Sequence, residues 1–227
     1  MISSVAQRAR VIRRDAILDA AEQLIRTRGY EQMSIQDVQD ELGVSRGAIY
    51  HYFDSKSAIL QAVLDRMVDA GTAVVEPIAS DPDLSAVDKL QAVFASGGRW
   101  KIQRSELLLA LLRSWQSDDN DLVRMRLVST SSARITPILA QILRQGVAEG
   151  TFSATFPDDT AVVLTALLYG SSDSLVQLVL DRHDGLITFE EVERRMAAYT
   201  EAIERILGLP AGSFILIDRP SLHVWFD

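Results

Sequence analysis

Residues 34–59 are SIQDVQDELGVSRGAIYHYFDSKSAI, two short helix patterns joined at a single glycine. Ser34 has the character of a helix N-cap, with Asp37 three residues on, where a capping-box acid sits. Ile35, Val38 and Leu42 recur at spacings of three and four, the apolar face of a short helix. Gly43 ends that helix, because a left-handed C-terminal turn suits glycine best. Val44 plugs the turn, and Ser45 caps a second helix that turns Ala48, Ile49 and Phe53 inward. A helix, a tight glycine turn and a second helix form the geometry that lays one helix across a DNA major groove.

Upstream, Ile17, Ala21, Leu24 and Ile25 recur at helical spacing between Arg13 and Arg28; Gly29 stops that helix and Tyr30 closes over the small bundle. Downstream, Asp54 and Ser55 break the second helix of the pair. Ser55 then caps a long fourth helix with Ala58, Ile59, Ala62, Val63, Met67 and Ala70 on one face. That helix leaves the bundle for the rest of the chain, so the domains divide within it, as residues 1–62 and 63–227.

The segment GVSRGAIYHYFDSK, residues 43–56, resembles the recognition segment of the TetR (tetracycline-repressor-like) family of transcriptional regulators. The likeness runs from Ala16 to about Leu64 and rests on Gly43-Val44-Ser45, Tyr50, Phe53 and Lys56 at these intervals. Gln39 departs from it, since the family usually has a small alanine there. The resemblance implies an all-α protein: an N-terminal three-helix bundle with a helix-turn-helix, followed by a larger helical domain for ligand binding and dimerisation. It also implies that Tyr50 and Lys56 contact DNA phosphates and that Ser34 reaches the DNA backbone.

The residues add their own chemistry to that expectation. Arg46 can pair bidentately with a guanine edge, and Gly47, lacking a side chain, lets backbone approach closely. Ser45 and His51 complete the expected DNA-binding set of Ser34, Ser45, Arg46, Gly47, Tyr50, His51 and Lys56. Tyr52 reads equally as core or contact. The net charge of −8 does not oppose this, because residues 1–60 hold eight basic and eight acidic side chains. The remaining fifteen basic and twenty-three acidic groups carry the whole negative balance, and phosphate contacts need only a local patch.

In the second domain, Pro77 to Pro82 reads as a turn-rich break and Leu84 to Arg113 as mostly helix, interrupted at Gly97-Gly98. Pro137 is expected to end or bend the helix running from Leu122 to Gly146. GVAEGTFSATF, residues 146–156, resembles the joint between two helices in C-terminal domains of the same family. The stretch from Asp159 to Leu180 is apolar nearly all round and so must be buried on more than one side. By resemblance it pairs across a twofold axis with the helix from Phe189 to Leu207, and Leu175 and Val179 are expected on that interface. The tail, with Phe214–Ile217 and Leu222–Phe226 flanking Asp218-Arg219-Pro220-Ser221, reads as a short hairpin or an extended arm. The resemblance also implies a small-molecule effector held between the helices of this domain. Phe94, Trp100, Leu111, Trp115 and Tyr169 are the candidate lining, though apolar residues at helical spacing equally read as plain core.

Enzyme readings lack parts. The 227 residues include no cysteine and three histidines without metal-ligand spacing. No phosphate-cradling glycine loop or nucleophile elbow occurs, and Asp118-Asp119-Asn120-Asp121 lacks the spaced ligands of a calcium loop. No catalytic residue, metal or cofactor is expected. Neither a signal peptide nor an apolar run long enough for a membrane span is read, so no membrane partner and a cytoplasmic location are expected. The sequence therefore points to a homodimeric transcriptional regulator, most simply a repressor, released from a palindromic operator by a small apolar or amphipathic effector. The alternatives are an all-helical dimeric interaction module, with the helix pair as a packing motif, and a small helical enzyme.

Overall fold

The computed structural model describes residues 2–114, 121–170 and 172–226, with side chains for all of these except 2–13, 112–114, 121–124, 126, 170, 172, 173 and 175. Every regular element among them is a helix, and no strand occurs. The chain divides into two compact units. One comprises Met1–Met67 with Glu106–Leu127, the other Val68–Ser105 with Val128–Asp227.

The first unit contains α1 (Ile2–Arg28), α2 (Ile35–Leu42), α3 (Arg46–Tyr50) and the start of α4 (Lys56–Ala79). Leu18, Ile25, Met33, Ile49, Ile59, Leu60 and Leu64 are fully buried there, each worth about 1.5–3 kcal/mol relative to exposure. Gln39 is buried too, and its backbone carbonyl accepts from the Val44 N–H at 3.1 Å. Arg66 ties α4 to α1. Its guanidinium pairs with Asp19 at 2.7 Å and with Glu22 at 2.6 Å, a fork that fixes direction as well as distance. This unit also contains α6 (Ser105–Ser114) from Glu106 onward and the beginning of α7 (Asp121–Glu149).

The second unit contains the rest of α4, α5 (Ala86–Ile102), most of α7, α8 (Pro157–Gly170), α9 (Ser172–His183), α10 (Phe189–Leu207) and α11 (Arg219–Phe226). Its core gathers Leu90, Leu139, Ile142, Leu143, Phe152, Ile203, Leu207 and Phe214. The break expected from Pro77 begins only after Ala79, where α4 ends, and Pro137 does not end its helix, α7. Both prolines are exposed, as are Ala73 and Ala133 one turn before them, so the carbonyls lacking a helical donor lie toward water. Gly146, in the last turn of α7, is required by packing. A β-carbon there would lie 2.1 Å from the buried Phe152 ring, a separation no side chain tolerates.

The tail is no hairpin: its first part runs as an extended arm and its second part is helical. It crosses the second unit as a strap and ends in α11, which packs against α5, α9 and α10. Phe214 is 3% exposed and meets Phe94 edge-to-face at 5.2 Å. The Phe214 N–H donates to the buried Glu204 carboxylate at 3.0 Å. Gln91 of α5 pairs with both backbone groups of Ile215, accepting from its N–H and donating to its carbonyl, each at 2.9 Å. Asp218 then starts α11, accepting from the Ser221 N–H at 2.8 Å. Leu222 and Phe226, one turn apart, are buried. Helix capping and i, i+4 burial override the alternating pattern that reads as strand.

The apolar stretch expected as one helix is helical up to Gly170 (α8) and from Ser172 on (α9), and residue 171 lies outside the described residues. Val179 is 9% exposed within the single chain, so a charge there would disturb its own core rather than an interface; the Leu175 side chain lies outside the described residues. The outward apolar positions lie earlier. Val162 and Val163 are 55% and 54% exposed, and Ala166 continues their face. On α10, Ala197, Ala198 and Glu201 face outward while Val192, Met196, Ile203 and Leu207 face in.

Candidate nucleic-acid interface

The turn between α2 and α3 is built by local chemistry. Ser34 and Asp37 form a reciprocal capping box: the Asp37 N–H donates to the Ser34 hydroxyl at 3.1 Å, and the Asp37 carboxylate accepts from the Ser34 N–H at 2.8 Å. The Ser34 hydroxyl also donates to that carboxylate at 2.5 Å, and Arg28 pairs with it at 3.0 Å. Gly43 closes α2 at φ 62°, the left-handed backbone that glycine adopts without strain. Val44 is 38% exposed, so its N–H closes the turn while its side chain does not plug it.

Hydrogen bonds from Ser34, through its hydroxyl first and its backbone second, hold the Asp37 carboxyl below its ordinary range. A depressed folded value contributes stability that is fully present above the unfolded aspartate value of about 4. It fades as pH falls through the lowered folded value. Asp37→Asn should therefore melt below the parent protein at pH 7, with the gap closing in acid; a gap unchanged down to pH 2 would remove the carboxylate from the cap.

The residues expected at the DNA lie on the outward side of α3 and its caps. Ile49 and Phe53 are buried beneath it, whereas Ser45, Arg46, Gly47, Tyr50 and His51 are all exposed. Ser45 occupies the N-cap position, yet its hydroxyl makes no capping bond. A β-carbon at Gly47 would meet no atom of the chain within 4 Å, so no packing inside the protein requires glycine there. Arg46 lies along the helix over the Tyr50 ring, 5.2 Å from its centroid, and donates to the Tyr50 hydroxyl at 3.2 Å. That bond holds the guanidinium further above its ordinary range. His51 meets Tyr52 edge-on at 5.0 Å, and Tyr52 is half-buried.

Lys56 has an additional role that spacing alone did not reveal. Its ammonium donates to the Glu31 carbonyl at 3.0 Å and sits 4.3 Å from the centroid of the buried Tyr30 ring. Partial burial lowers its pKa and raises that of Tyr30. The lysine thus pins the start of α4 to the turn after α1.

The expected effector residues are distributed over both units. Leu111 is buried in the first unit; Phe94, Trp100 and Tyr169 belong to the second, and Trp115 lies outside the described residues. Phe94 packs on Phe214, as described above. Trp100 lies against α4, where a β-carbon at Gly71 would be 3.4 Å from its ring, and Arg104 covers it at 4.4 Å. Tyr169 is half-buried, and burial pushes its phenol up to about 12. Among the described residues no cluster of acids and histidines could hold a metal, and no helix is long and apolar enough to cross a membrane.

A capped helix, a left-handed glycine turn and a second helix with an outward polar face define a helix-turn-helix DNA-binding protein. The profile of the bacterial regulatory proteins of the tetR family matches residues 17–63. A transcriptional regulator of Klebsiella pneumoniae, BetI, is 30% identical over 135 residues, covering 59% of this chain and 69% of that protein. The transcriptional repressor KstR2 of Mycolicibacterium smegmatis is 26% identical over 140 residues, covering 62% and 67%. The crystal structure of reduced NemR from E. coli shares the fold at a TM-score of 0.56 and 22% identity, over 88% of this chain and all of that one. The chain belongs to the tetR family and is a DNA-binding transcriptional regulator rather than an enzyme.

Proposed function

We propose that the protein is a cytoplasmic homodimeric repressor that reads a palindromic operator through α3 and releases it on binding a small apolar or amphipathic effector. The observation that carries the DNA reading is the outward face of α3. The Ser45 hydroxyl, the open space at Gly47 and the Arg46–Tyr50 pair are all exposed and contribute nothing to the core beneath them. The exposed apolar face of α8, with Val162, Val163 and Ala166, supports pairing with a second copy. A self-complementary interface of that kind sets two reading heads at a fixed spacing, which a palindromic site demands.

For the effector, support comes from Trp100 against Gly71 of α4, the helix that continues from the DNA-binding unit. Tyr169 adds a half-buried hydroxyl, a polar group that a ligand could meet. A ligand releases DNA only insofar as it binds better to the form that cannot hold the operator.

The test compares Arg46→Ala with Lys56→Ala on duplexes containing the operator and on mutated versions of it. Arg46→Ala should relax preference at one base pair, by roughly 5- to 100-fold. Lys56→Ala should weaken all sequences alike and flatten the salt slope by roughly one unit. Equal, sequence-independent losses for both would remove Arg46 from base reading. Because Lys56 also holds Glu31 and Tyr30, its variant is compared at matched folded fraction.

A further inference from the structure

We infer that Tyr50 is a specificity-determining residue as well as a phosphate contact, because it positions the Arg46 guanidinium that reads the base. The inference rests on the proposed DNA reading by α3. Arg46 and Tyr50 are four residues apart, so their side chains rise from one face of the helix. The guanidinium lies over the phenol ring and donates one N–H to its oxygen at 3.2 Å. An arginine has five N–H donors, so this bond leaves four for a guanine edge. The Tyr50 oxygen accepts from Arg46 while its own proton remains to be donated, and a phosphate oxygen is the acceptor that DNA supplies.

The two contacts are then mechanically linked. A phosphate that holds Tyr50 fixes the ring and the oxygen against which Arg46 is braced. An exposed arginine otherwise pays rotamer entropy to hold one geometry, and the ring and hydroxyl remove much of that cost before DNA arrives. Gly47 offers no side chain beside the pair, and His51 packs instead on Tyr52. Tyr50 is 37% exposed, so its replacement leaves the buried face of α3, Ile49 and Phe53, intact.

Tyr50→Phe separates positioning from simple phosphate contact, because it keeps the ring and removes only the hydroxyl. Binding is measured for the full-length protein, Tyr50→Phe, Arg46→Ala and the double variant, each on the operator and on an operator altered at the base pair that Arg46 reads. The expected result is a several-fold fall in the ratio of the two affinities for Tyr50→Phe, on top of a general loss. The double variant should discriminate no worse than Arg46→Ala alone, since a brace without its arginine does nothing. Tyr50→Leu, which also removes the ring, should lower the ratio further. A ratio unchanged in Tyr50→Phe, with all sequences weakened by one factor, would reduce Tyr50 to a phosphate contact and overturn the inference. A ratio of one in the parent protein would instead overturn the DNA reading itself, and this inference with it.

Discussion

With Val162 and Val163 both replaced by lysine, the protein is expected to sediment as a folded monomer and to bind a two-half-site operator roughly 10²–10⁴-fold more weakly. Both valines are more than half exposed in the single chain, so the lysines meet water and cost its core nothing. In a twofold pair the same face meets itself, and four ammonium groups would be brought together while apolar area is lost. Binding to an isolated half-site should be retained, because α2 and α3 are untouched. The large factor comes from turning the second half-site contact from an intramolecular event into a bimolecular one. A dimer that persists, still binding the full site tightly, would put the interface elsewhere. The same substitution at Val179 would be uninformative, since that residue belongs to its own chain's interior.

Phe214→Ala is expected to destabilise the protein by about 3–5 kcal/mol, the range for deleting a buried aromatic ring. The ring is 3% exposed, meets Phe94 edge-on and lies in the same core as Leu90, Leu143 and Leu207. Its loss leaves a cavity at the point where Glu204 and Gln91 hold the strap, so α11 should loosen with it. Denaturant unfolding of the variant against Ile215→Ala is the measurement. Ile215 is 56% exposed, and its truncation should cost within about 0.5 kcal/mol. A loss under about 1 kcal/mol for Phe214→Ala would mean that the tail is not part of the folded core.

These two cases mark where reading the sequence succeeds and where it stops. The α2–turn–α3 unit is legible because its determinants are local: Ser34 with Asp37, Gly43, and the buried faces of Val38 and Ile49 lie within sixteen residues. The exposed face of α3 is legible for the same reason, since exposure follows from helical period once the buried side is known. The strap is not legible, because Gln91 and Glu204 that hold it come from α5 and α10. Neither Pro77 nor Pro137 ends its helix, because a proline is tolerated where the lost bond faces water, and exposure of one helix face is decided by its neighbours. Lys56 illustrates a third limit: its charge and position suggest a phosphate, while the Glu31 carbonyl and Tyr30 ring that it grips are visible only in three dimensions.

The central claim is that α3 reads base sequence as one of a symmetric pair. The most direct measurement is selection of bound duplexes from a randomised pool by the full-length protein, with the bound fraction sequenced at moderate salt. The account predicts enrichment of two inverted half-sites at one fixed spacing, with a guanine-containing position in each that Arg46→Ala no longer enriches. A pool that emerges with no enriched sequence, bound only through salt-sensitive contacts, would contradict it.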